Sequence, residues 1–215
     1  MSSKVFVTAL IALVVGAVAG YSGAHYFECP QSSCGTLNEA QCALRRGMEK
    51  LWAEHVIWTR QFIVSSVARL ADAGPAAQRL FKNQDDIGNA IVPYYGQDAG
   101  TALAKLLREH IAIAADIVKA AMAKDNAKVK ELDAKWHANA ADIATFLSNA
   151  NPNWTKEGLT SMLNEHLALT TKEVLDRIGS KWDDDIANFG AIFDQARMMG
   201  KDLADGIIKQ FPDKF

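Results

Sequence analysis

The stretch LAKLLREHIAIAADIVKAA, residues 103–121, sets the fold class. Leu103, Leu107, His110, Ala114, Ile117 and Ala121 recur at steps of three and four residues. That is the period of an α-helix with one face turned to a core. The predicted helix spans about Gln97 to Lys124.

The same period extends through the body of the chain. Thr36-Leu37-Asn38-Glu39 fits a capping box, so a helix is expected from there to about Ala71, before Gly74-Pro75. Its stripe is Leu44, Met48, Leu51, His55, Trp58, Phe62 and Ser65. Two short helices are expected next, Pro75 to Phe81 and Asp85 to Val92, the second ended by Pro93. Beyond residue 124, Asn126 is expected to cap a helix to about Ser148, with Trp136 and Ile143 inward. Thr155 caps another to Gly179, with Leu159, Leu163 and His166 inward. Ser180 opens a last one to about Gln210, with Ile186, Phe189, Phe193, Ala196, Leu203 and Ile207 inward. No segment alternates as a strand does. The expected fold is all-α, an up-down antiparallel bundle of four to five long helices, with one N-terminal transmembrane helix.

The helix at the N-terminus is read from VFVTALIALVVGAVAGYSGAHYF, residues 5–27, which contains no charged residue. About 20 apolar residues cross a bilayer, and Tyr21, Tyr26 and Phe27 stand where interfacial aromatics sit. Gly16 and Gly20 form a GxxxG pair, through which two membrane helices can approach closely. A cleaved signal peptide is the competing reading, with Ala17-Val18-Ala19 as the cleavage site and a secreted or periplasmic product. Lys4 precedes the segment, and no lysine or arginine follows it until Arg45. This favours a cytosolic N-terminus and an extracytoplasmic body. The chain thus divides into an anchor or signal at 1–27, a cysteine-containing stalk at 28–36 and a bundle at 37–215.

Cys29, Cys34 and Cys42 are the candidate disulfide residues. Outside the cytosol three cysteines imply one bridge and one spare thiol, and Cys29 with Cys34 would close a small loop through Pro30 and Gly35. Unpaired thiols, and a zinc site with His25, are the other readings, although the spacing fits no common zinc pattern.

Chemistry is concentrated at histidine. Three helices carry Glu-His after a similar lead-in: LWAEH at 51–55, LLREH at 106–110 and MLNEH at 162–166. Each histidine lies on its apolar stripe, and each glutamate at the stripe's edge. A fourth helix brings His137 beside Trp136. With about 1.5 Å of rise per residue, the four histidines fall within about one and a half turns of the bundle's mid-height. His55, His110, His166 and His137, with Glu54, Glu109 and Glu165, are therefore the candidate metal or ligand residues. Imidazole-rich ligation suits zinc, copper or iron. The alternative is a structural polar layer in which each imidazole bonds a neighbouring group.

Other motifs fail. No glycine-rich phosphate loop, nucleophile elbow, H-E-x-x-H zinc motif or covalent-haem signature occurs, and the Glu-x-x-His pairs of di-iron bundles are missing. No catalytic residue is assigned. Asp183, Asp184 and Asp185 are read as a solvated cap in a first helical turn, and Arg60 and Arg69 as surface or rim. The 215 residues carry a net charge of −2, with 49% hydrophobic and 22% charged residues. Such a chain folds around a core and offers no electrostatic footprint for nucleic acid.

The words EHVIWTRQFIVSS, REHIAIAADIVKAA, NANPNW, NEHLALTTKEV and GIIKQFPDKF resemble those shared by an uncharacterised family of small bacterial helical proteins. The resemblance covers Leu51 to Phe215. It implies a bundle separable from its leader and carries no activity or site residues.

The expectation is a membrane-anchored bundle with a non-enzymatic structural or protein-interaction role at a membrane, envelope or virion surface. Its partners would be the membrane and either another protein or a second copy, met through helix faces or GxxxG. The alternative is a metal or small-ligand carrier using the histidine layer.

Overall fold

The computed structural model describes residues 34–215. The apolar leader with Gly16 and Gly20, and Cys29, lie outside them. The chain divides into residues 1–36 and 37–215, and the second unit holds six helices: α1 Glu39–Val67, α2 Ala73–Tyr95, α3 Gln97–Met122, α4 Asn126–Ala150, α5 Lys156–Ile178 and α6 Trp182–Gln210. No strand occurs among the described residues. Cys34 and Cys42 are each disulfide-bonded.

Helix α1 begins two residues later than Thr36-Glu39 suggested. Asn38 accepts from the Gln41 backbone N–H at 2.9 Å, and the Gln41 side chain accepts from the Asn38 N–H at 3.1 Å. Asn and Gln complete the same reciprocal cap as Thr and Glu, while Glu39 sits in the first turn, where an acid suits the dipole.

The two short helices expected between 75 and 92 are one, α2. The polar run Asn83-Gln84 reads as a break only if it faces water. Both residues are fully buried: Asn83 donates to the Leu51 carbonyl at 3.0 Å and Gln84 to the Leu80 carbonyl at 2.8 Å. Pro75 lies in the first turn, where its missing N–H costs nothing. Pro93 falls in the last turn, and the helix stops at Tyr95.

The helices form three hairpins, α1–α2, α3–α4 and α5–α6. Each packs on its chain neighbour, α6 packs back on α1, and α1, α3 and α5 also meet one another. The result is a closed six-helix bundle rather than one of four or five. The hairpins repeat one another. Counted from its histidine, each inner helix buries the same positions: Met48, Leu103 and Leu159 two turns before; Val56, Ile111 and Leu167 one residue after; Ile63, Val118 and Val174 eight after. Each inner helix also ends in the same turn. Arg69, Lys124 and Ser180 take φ of 56°, 59° and 57°, and the next residue's N–H bonds back to Ser65, Ala120 and Asp176 respectively. This closes a helix as a Schellman turn does.

Helix α6 buries Ala196, Leu203 and Ile207 as expected and half-buries Phe189 and Phe193 against the core, but its first turn differs from expectation. Ile186 is 65% exposed, while Asp185 is fully buried and Asn188 nearly so. The buried face also takes in Asp185, Asn188, Ile192, Gln195 and Met199, and because it is polar at its start, hydropathy misplaced Ile186. Asp185 is therefore not a solvated cap. Arg60 grips it with two bonds of 2.8 and 2.9 Å and reaches Glu173, 1% exposed, at 2.7 Å. The guanidinium joins α1, α5 and α6 and lies 4.8 Å from the Phe189 ring centre.

Two stability outcomes follow from these contacts. Lys124→Gly should stabilise the fold by about 1 kcal/mol, because glycine removes the left-handed Cβ penalty. Arg60→Met should cost about 3 kcal/mol, because it leaves the buried Glu173 unpaired and Asp185 with only Arg177, at 3.4 Å. Urea unfolding of each variant measures both.

Candidate functional site: the histidine layer

Three of the four candidate histidines come together where α1, α3 and α5 meet. His55, His110 and His166 are 3%, 4% and 3% exposed, and the His55 and His166 ring centres are 5.5 Å apart. Each is placed by its stripe position at the middle of an inner helix. His137 does not join them. It lies exposed on α4, with Nδ1 3.0 Å from Asn164 Oδ1 and Nε2 3.8 Å from Asp133. Its neighbour Trp136 lies against His110, but the His137 side chain leaves the helix on the outer face.

Each buried imidazole is held by a carboxamide on the outer helix of its own hairpin. Nδ1 of His55 pairs with Gln84 Nε2 at 3.2 Å, that of His110 with Asn139 Oδ1 at 2.8 Å, and that of His166 with Gln195 Oε1 at 3.2 Å. All three partners lie 29 residues beyond their histidine. Asn139 and Gln195 also donate to the carbonyls of Leu106 and Met162, four residues before the histidine. That donation orients the amide, so its oxygen accepts from Nδ1–H and leaves Nε2 of His110 and His166 as a bare acceptor. In the first hairpin two residues divide the work: Asn83 takes the Leu51 carbonyl and Gln84 donates to His55.

The partners Gln84, Asn139 and Gln195 went unseen in the sequence reading. The signal was present as a spacing: Glu-His recurs every 55 or 56 residues, and a carboxamide follows each time at the same distance.

Tryptophans complete the layer. The Trp52 ring meets His55 edge-on at 5.8 Å, and Trp136 lies 5.1 Å from His110. Their indole N–H groups and Gln84 Oε1 are buried with no hydrogen-bond partner among the described residues. One turn further on is a cavity of about 30 Å³, lined by Thr59, Ile63, Ala114, Val118, Thr170 and Val174 among others. It has room for a water molecule or two, not for an organic substrate.

The glutamates stand apart from the imidazoles. Glu54 bonds Lys50 and Arg79, while Glu109 and Glu165 are exposed. Among the described residues no group of three or more His, Cys, Asp or Glu side chains is arranged to hold a metal ion.

Burial is the main force on the imidazole pKa values. It pushes His55 well below its ordinary value, helped by His166 and His110 and opposed by Gln84. Burial takes His110 down to about 3, helped by His166 and opposed by Asn139. His166 is lowered by burial against its bond to Gln195. All three are neutral at pH 7. Burial acts oppositely on Glu173, raising it to about 7 against the pull of Arg60.

Compared with family models, curated proteins and solved structures, the chain matches none. The reading of the site therefore rests on its own geometry.

A pH dependence follows. Below pH 6.5 the unfolded chain protonates three histidines that the folded chain keeps neutral, so acid favours unfolding. Between about pH 4.5 and 7, Glu173 binds its proton better in the folded state and offsets one of them. Stability should fall by about 1–3 kcal/mol per pH unit between pH 6 and 5, the signature of one to two net protons taken up on unfolding. Urea unfolding across that range tests this; a pH-independent midpoint would contradict it.

Proposed function

We propose that this chain is a non-enzymatic binding module carried at a membrane or envelope surface, a virion surface included. The observation that carries the non-enzymatic part is the commitment of the histidine layer to the fold. Every buried imidazole is tied to the outer helix of its own hairpin, and the cavity beside the layer holds no substrate-sized space. The centre of the bundle is thus occupied with its own cohesion, and the chemistry open to a partner lies on the helix faces. Among the described residues five large apolar side chains are exposed there, Ile57, Leu175, Trp182, Ile186 and Met198. Exposed apolar side chains grouped on a surface are a common ground for association.

The tethering part rests on the sequence of the leader. Residues 5–27 are uncharged and follow Lys4, which favours an anchor with the bundle on the extracytoplasmic side. Among the described residues no helix is long and apolar enough to cross a membrane.

Fractionation of cells expressing the full chain tests this reading. The protein should sediment with membranes and resist extraction at alkaline pH. Replacing Leu10 and Val14 by arginine should release it, because each charge at a bilayer centre costs about 3 kcal/mol. Full-length protein in the supernatant would refute the anchor, and a chain shortened after Ala19 would establish the signal-peptide alternative.

A further inference from the structure

The three hairpins share one pattern on the flank of the histidine layer, and the third departs from it. In α1–α2, Glu54 is bonded by Lys50 from its own helix and by Arg79 across the seam at 2.9 Å. Arg79 reaches on to Asp86 at 3.7 Å and lies over the Trp58 ring. Aligned on the carboxamide that donates to the inner-helix carbonyl, Asn83, Asn139 and Gln195, the corresponding positions of α3–α4 are Lys105, Glu109, Lys135 and Asp142, with the same charges, although Lys135 there pairs with Glu131. In α5–α6 they are Ser161, Glu165, Ala191 and Met198. The acid remains and both cations are gone.

Ser161, Glu165 and Met198 line an opening in the third seam. A groove of about 430 Å³ runs between α5 and α6, lined by Trp154, Leu159, Met162, Glu165, Met198 and Asp202 among others, with no lysine or arginine in its wall. The volume is that of a small-molecule site. Glu165 is exposed and forms no ion pair among the described residues, and Asp202 has only Lys201, at 3.7 Å. Methionine side chains adapt their shape to an apolar guest, and Met198 is 57% exposed.

We infer that the α5–α6 seam is a binding site for a small organic cation. An ammonium or guanidinium group pairs with Glu165, in the place that Arg79 takes on Glu54, and the apolar body of the ligand rests on Met162 and Met198. The inference names the ligand class of the binding-module reading and rests on it. An ion pair at the mouth of a groove discriminates charge, and the thioether-lined wall selects for an apolar body. Neither inorganic cations nor neutral hydrophobes satisfy both.

Calorimetric titration of the full chain with phenethylammonium at pH 7 and low salt tests the site, with 2-phenylethanol as the uncharged analogue. The ammonium should bind and the alcohol should bind at least tenfold more weakly. Glu165→Gln should weaken the ammonium at least tenfold. Ala191→Arg, which rebuilds the pair of the first hairpin inside the third, should do the same. Both positions are exposed, so unchanged melting temperatures can confirm that the variants fold. Equal binding by the Glu165→Gln variant, equal binding of the alcohol, or no binding by the wild type overturns the site. Binding of an oligolysine peptide that depends on Glu165, without binding of phenethylammonium, also overturns the small-cation assignment and leaves the binding-module reading in place. The anchor is judged separately, by fractionation.

Discussion

The bond between a buried imidazole and a carboxamide 29 residues further along is the constraint on which the bundle depends. It joins the inner and outer helix of each hairpin at mid-height. In two hairpins the same carboxamide also takes a carbonyl of the inner helix, which binds the outer helix to two successive turns. Apolar packing alone is tolerant of rotation and of sliding by a turn. A directional bond in a dry interior is not, because a mismatch leaves polar groups buried and unpaired. Three such bonds fix the register of three hairpins, and the three imidazoles then meet where the inner helices converge.

This arrangement limits what the interior can do. Burial and mutual repulsion keep the imidazoles neutral, so they serve as hydrogen-bonding spacers in a core otherwise built of Leu, Ile, Val and Trp. A second polar device, Arg60 with Glu173 and Asp185, ties α6 back to α1 and α5. It is a buried ion cluster on the closing contact of the ring, where apolar packing is weakened by the polar start of the α6 stripe. Both devices set geometry.

The repetition of the hairpins gives the surface its meaning. Positions that are equivalent in the fold are free to differ where they do not hold it together. The first and second hairpins keep acid and cations on their seams, and the first forms the cross-seam pair between Glu54 and Arg79. The third keeps Glu165 without them and opens into a groove. Three of the four seam positions differ there, at Ser161, Ala191 and Met198, while the glutamate is kept.

Helix content, helix number apart from the α2 region, and the mid-height position of the histidines were legible in the sequence. Each depends on spacing along one helix, which local chemistry dictates. Asn83 and Gln84 were misread as a break, and Asp185 as a solvated cap, because their partners lie on other helices. His137 and Ile186 were assigned inward from hydropathy or level, and they face out because the neighbouring helices set the rotation. The sequence by itself thus determined which segments are helices and which residue types each can bury. Only the tertiary structure decided which polar side chains are inside, since a buried polar group is stable only when a partner, often far along the chain, is brought within hydrogen-bonding distance.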